Sequence, residues 1–211
     1  VLLLEWIVKV VYNMSRAVDA SSKLSDEKID KMLEDILDFL AIGHYSGECT
    51  NLILGALGNI GRSPHARCKL IPQGVCLILQ KSCLKCVKQI EKFNRAAEVK
   101  EMSEATKERN ALEKAIVYKD RLRICVESLL HFTSDKKFML DTCRQGSLRV
   151  LSAVCKTTVD INLLYTSFVT ACNILSSEIL GEIYNVVPDD VEEFIAILLN
   201  QIQCRFLDKR G

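Results

Sequence analysis

The chain has 211 residues, of which 49% are hydrophobic and 26% charged, with nine glycines and three prolines. That composition excludes an intrinsically disordered segment, a collagen-like fibre and a disulfide miniprotein. Twenty-eight basic against 27 acidic residues give a formal charge of +1, so the chain as a whole carries no electrostatic footprint for nucleic acid or an anionic membrane.

The opening run Val1-Leu-Leu-Leu-Glu-Trp-Ile-Val-Lys-Val-Val11 is strongly apolar, but Glu5 and Lys9 interrupt it. It is too short to span a bilayer, and it lacks the basic region and small-residue cleavage site of a signal peptide. No membrane insertion is expected. The absence of an initiator Met gives the expectation that the chain is a fragment of something longer. From Ile29 onward, Ile29, Met32, Leu33, Ile36, Leu37 and Leu40 make a helical stripe, with Ser25-Asp26-Glu27 as cap and acidic first turn. Residues 52–60 are apolar nearly all round, as in a helix buried on most sides. That helix stops at Gly61-Arg-Ser-Pro64, where Ser63 as N-cap and Pro64 at the first helical position restart the chain. Later, Val187-Pro-Asp-Asp190 with Glu192 and Glu193 reads as a capping box opening a helix over 194–202. Hairpin signals are absent, and the fold class is all-α.

Ten cysteines fall at 49, 68, 76, 83, 86, 125, 143, 155, 172 and 204, spread through the apolar stretches. At this density they read as reduced, buried thiols acting as small hydrophobes, which places the chain in the cytoplasm or nucleus. The alternative is a zinc site from Cys76, Cys83 and Cys86, because Cys83-Leu-Lys-Cys86 has CxxC spacing. No second CxxC follows, and only His65 and Cys68 lie near enough in sequence to complete it.

A shift of 72 residues lays Leu57-Gly-Asn59-Ile60 on Leu129-Leu-His131-Phe132 and Gln73-Gly74 on Gln145-Gly146, with Leu79 on Leu151 and Cys83 on Cys155. Val10-Val-Tyr-Asn13-Met14 matches Ala56-Leu-Gly-Asn59-Ile60, with Arg16 and Arg62 each three residues past the Asn. Ala171-Cys-Asn173-Ile174 follows the His131 segment by 42 residues. The unit is a buried helix ending near Asn, a short turn, a short helix, a Gly and another apolar helix. A lone unit cannot bury its apolar face, so neighbours stack and share a core.

This unit resembles the armadillo repeat, best over Gly55–Leu79 and next over Val126–Leu151. The resemblance implies a right-handed α-solenoid of about four repeats filling 1–211 as a single domain. It also implies a concave groove lined by each third helix, whose terminal Asn holds the backbone of a partner peptide. The matching positions are Asn13, Asn59, His131 and Asn173. Two uses of these side chains stand open: pairing with a peptide unit, or satisfying a helix-end carbonyl. Members that bind nuclear-localisation peptides carry a Trp four residues before the Asn. Here Lys9, Gly55, Glu127 and Val169 stand there instead, so an import adaptor is not expected, and Lys9 and Glu127 give the groove mixed charge.

The 72-residue spacing exceeds the 42-residue one by 30, and the surplus falls in an insertion over 87–120. From Glu91 to Arg121 it holds eight basic and seven acidic residues without Gly or Pro, a long charged helix or a mobile linker. No P-loop, dinucleotide turn, HExxH or G-x-S-x-G is present, and His44, His65 and His131 are dispersed. The expected function is non-catalytic and cofactor-free: a scaffold or adaptor binding an extended or helical segment of another protein. The alternative is a structural module that stacks on itself, or on its parent chain, through its end faces. Monomer and self-associated states both remain open at this point.

Overall fold

The computed structural model describes residues 2–18, 25–42, 47–99, 105–176 and 178–203. Among them are eleven α-helices and no strand. They are α1 (Leu2–Ser15), α2 (Asp26–Ile42), α3 (Gly47–Ile60), α4 (Pro64–Leu70), α5 (Val75–Val99) and α6 (Ala105–Phe132), with a 3-10 turn at Arg16–Val18. Then come α7 (Lys136–Arg144), α8 (Ser147–Thr157), α9 (Ile161–Leu175), α10 (Leu180–Val186) and α11 (Pro188–Ile202). His44 and Cys204 lie outside the described residues, as does the middle of the 87–120 insertion.

Local chemistry sets the starts of five of these helices. Ser63 caps α4, its Oγ accepting from the Ala66 N–H, with Pro64 in the first turn. Asp135 and Asp160 cap α7 and α9 in the same way, accepting from Lys137 and from Asn162 and Leu163. Gly74 and Gly146 carry φ of 82° and 86°, left-handed values that cost glycine little and other residues about 1 kcal/mol or more. They sit just ahead of α5 and α8. The end of α3 and the starts of α4 and α5 recur 72 residues later as the end of α6 and the starts of α7 and α8.

Helices α1, α3, α6 and α9 pack side by side in that order, and α5, α8 and α11 form a second row. The rows join where α5 packs on α6 and α8 on α9, while α2 covers α3. Short helices α4, α7 and α10 carry the chain from the first row to the second. Between the rows lie Leu57, Ile60, Leu79, Leu129, Phe132, Leu151 and Ile174, all fully buried.

Three expectations need correction. The last helix starts at Pro188, ahead of the expected 194, and its Val187 N-cap makes no side-chain bond. The expected capping box fails because Asp190 is turned to a long-range partner: Arg149 donates to its Oδ1 from both Nε and Nη2 at 3.2 Å. Cys68 and Cys172 are exposed, unlike the seven other described thiols. The described parts of the 87–120 insertion are helical, lengthening α5 to 25 residues and α6 to 28. Phe93 faces Tyr118 across this antiparallel pair, with ring centroids 6.1 Å apart.

Candidate functional site

In the row formed by α1, α3 and α6, helix α3 presents glycine to both neighbours. A β-carbon on Gly55 would meet the Tyr12 ring of α1 at 2.8 Å, and one on Gly58 would meet Ser128 Oγ of α6 at 2.2 Å. Near the helix ends this packing leaves a shallow depression of about 70 Å³, whose lining includes Tyr12, Asn59, Arg62, Glu127, Ser128 and His131. Three residues singled out from the sequence, Asn59, Glu127 and His131, therefore share one site. Lys9 and Asn13 are exposed on α1, and Asn173 is half-buried on α9; none of the three lines the depression.

The geometry assigns each side chain some work inside the chain. Asn59 Nδ2 donates to Ser15 Oγ at 3.1 Å, and Ser15 Oγ donates to the Tyr12 carbonyl at 2.6 Å. The Asn59 amide thus ties α3 to the last turn of α1. Arg62 Nε donates to His131 Nε2 at 3.3 Å, which requires that nitrogen to be unprotonated and puts the imidazole proton on Nδ1. Glu127 is exposed and lies 3.7 Å from Arg123, which also lies 3.7 Å from Asp120. The depression thus holds one cation, Arg62, and one anion, Glu127, among the described residues. Tyr12 and Ser128 were missed in the sequence. The signal for both was glycine in α3, since a β-carbon on Gly55 would meet the Tyr12 ring and one on Gly58 would meet Ser128.

The thiols pack rather than converge on a metal. Cys76 Sγ lies 3.8 Å from Thr142 Oγ1 of α7, whereas Cys83 faces Cys125 of α6. Burial pushes the thiols of Cys76 and Cys86 up to about 12. Of the other two candidates, Cys68 is exposed and His65 is turned to α2. No group of three metal-ligating side chains is present among the described residues. His65 Nε2 lies 3.0 Å from Asp30 Oδ1 and its Nδ1 3.6 Å from Asp26. Lys69 pairs with the other Asp30 oxygen, and hydrogen bonds from Lys69 and His65 hold the Asp30 carboxyl below its ordinary value.

No protein-family model, curated protein or solved structure matches the chain. Among the described residues, no single helix is long and apolar enough to cross a membrane.

Proposed function

We propose that the chain is a non-catalytic interaction scaffold, a right-handed armadillo-like solenoid of about four repeats that binds a segment of another protein. The bound segment runs along the row α1, α3, α6 and α9, past Lys9, Asn13, Asn59, Glu127, His131 and Asn173. One observation carries this reading: three of these six residues, Asn59, Glu127 and His131, come from separate segments and line one depression. Two further facts support the repeat: the 72-residue recurrence of helix boundaries and the two-row packing of the kind that stacked units adopt. Affinity would come from a few anchors, with Asn59 Oδ1 and the exposed Asn13 amide offered to a peptide backbone. The buried thiols suit the reducing cytoplasm or nucleus.

The test is selection of binding peptides from a displayed library, followed by the double variant Lys9→Glu, Glu127→Lys. Both positions are exposed, so folding should persist while affinity falls by about tenfold or more. Unchanged affinity in a variant with native circular dichroism would end the groove reading.

A second reading draws on the ends of the row. Trp6 (69% exposed), Val10 and Met14 leave a bare apolar stripe on α1, and Ile161 and Tyr165 (both 70% exposed) leave one on α9. These stripes suit end-to-end stacking of copies, which joins unlike faces. Light scattering across a concentration series decides it: mass should rise with concentration for the wild type and stay at the monomer value for Trp6→Glu.

A further inference from the structure

A second cavity lies outside the groove, where the extended halves of α5 and α6 meet the start of α3. It is an open cleft of about 910 Å³, within the size range of small-molecule sites. At its base is Arg121, only 8% exposed. Its Nε donates to Asn51 Oδ1 at 2.8 Å, its Nη2 donates to the Gly47 carbonyl at 2.9 Å, and the guanidinium carbon lies 5.6 Å from the centre of the Tyr118 ring. Both acceptors are neutral. Among the described residues no carboxylate pairs with this guanidinium, and Nη1 has no acceptor. A buried cation without a counter-charge is costly, and such charges are normally paired. Lys92 and Lys114 stand at the exposed rim of the same cleft, and among the described residues one carboxylate, Glu113, lines it.

We propose that this cleft binds a small multivalent anion bearing carboxylate or phosphate groups, with Arg121 as its anchor and Lys92 and Lys114 completing the charge match. Arginine suits the anchor because its planar donors stay charged and match the oxygens of both groups. Asn51 and Gly47 fix the plane of the guanidinium, so it meets a ligand without reorganisation. This site is separate from the groove, and neither reading depends on the other.

Calorimetric titration at constant ionic strength tests it, with inorganic pyrophosphate as the phosphate probe and citrate as the carboxylate probe. Saturable one-to-one binding is expected with at least one, and the tighter probe identifies the chemical group. Removing an exposed charge about 7 Å from the anion should change affinity about threefold. Lys92→Gln with Lys114→Gln should therefore weaken binding about tenfold, and Glu113→Gln should strengthen it about threefold. Arg121→Gln should abolish binding, but its burial puts folding at risk, so the three exposed positions carry the test. Absence of saturable heat with both probes, or affinity unchanged in the double lysine variant, would overturn the proposal.

Discussion

Gly58 shows how single residues set the spacing of the helix row. Its missing side chain lets α3 approach α6 until Ser128 Cβ lies 3.1 Å from where a β-carbon would be. Gly58→Val should destabilise the protein by about 1–3 kcal/mol, as overpacked cores do, read as a lower urea midpoint. Gly181, in α10, has open space around the same position, so Gly181→Ala should stabilise by a few tenths to about 1 kcal/mol. The pair separates packing from helix propensity. Gln145 acts over distance: its Oε1 accepts from the Leu77 N–H at 3.0 Å, and its Nε2 donates to the Ile71 carbonyl at 3.4 Å. It shares a first-turn donor of α5, since the Leu77 N–H also reaches the Gly74 carbonyl at 3.0 Å. Gln145→Ala should cost about 1 kcal/mol by urea unfolding, and an unchanged midpoint would show that solvent replaces it.

At the scale of elements, α2 is held to α4 by a cluster of side chains. The Asp30 carboxyl is lowered from 3.8 by Lys69 and His65. A lowered carboxyl contributes stability above its unfolded value, and that contribution disappears as pH falls through the folded value. Urea midpoints of wild type and Asp30→Asn should differ near neutral pH and converge as the solution is acidified below the ordinary Asp range. A constant gap at all pH values would mean that Asp30 acts through packing. Arg67 does comparable work between α3 and α4, its Nη1 donating to the Gly61 and Arg62 carbonyls at 3.0 and 2.9 Å. Those contacts fasten the short helix beneath the end of α3, a place where helix carbonyls need partners.

For the whole molecule, the two rows enclose one core in which cysteine is a regular component. Burial raises Cys76 and Cys86 to about 12 and Cys143 and Cys155 to about 11, and the thiolate is the reactive form. Alkylation of the native protein by iodoacetamide should therefore modify Cys68 and Cys172 first among the described thiols. Cys49, Cys76, Cys83, Cys86, Cys125, Cys143 and Cys155 should react only in denaturant. Peptide mapping by mass spectrometry reads this directly. Native labelling of Cys83 or Cys125 as fast as Cys68 would show that the packing of α5 on α6 opens readily.

The sequence by itself determined the all-helical class, the start of α4 at Ser63-Pro64, the turns at Gly74 and Gly146 and the 72-residue offset. Those features rest on contacts within a few residues, where side-chain caps and allowed backbone angles decide the outcome. It also picked out Asn59, Glu127 and His131, which the fold brings to one depression. Tertiary structure alone decided that Asn59 would spend its amide on Ser15, 44 residues away, and that Asp190 would turn to Arg149, 41 residues away. It likewise set the two helical halves of the charged insertion against each other, Phe93 facing Tyr118, and placed Arg121 against Asn51 across 70 residues. In each case the partner lies on a different helix. Which partner a polar side chain meets depends on how the rows pack, and local pattern carries no record of that.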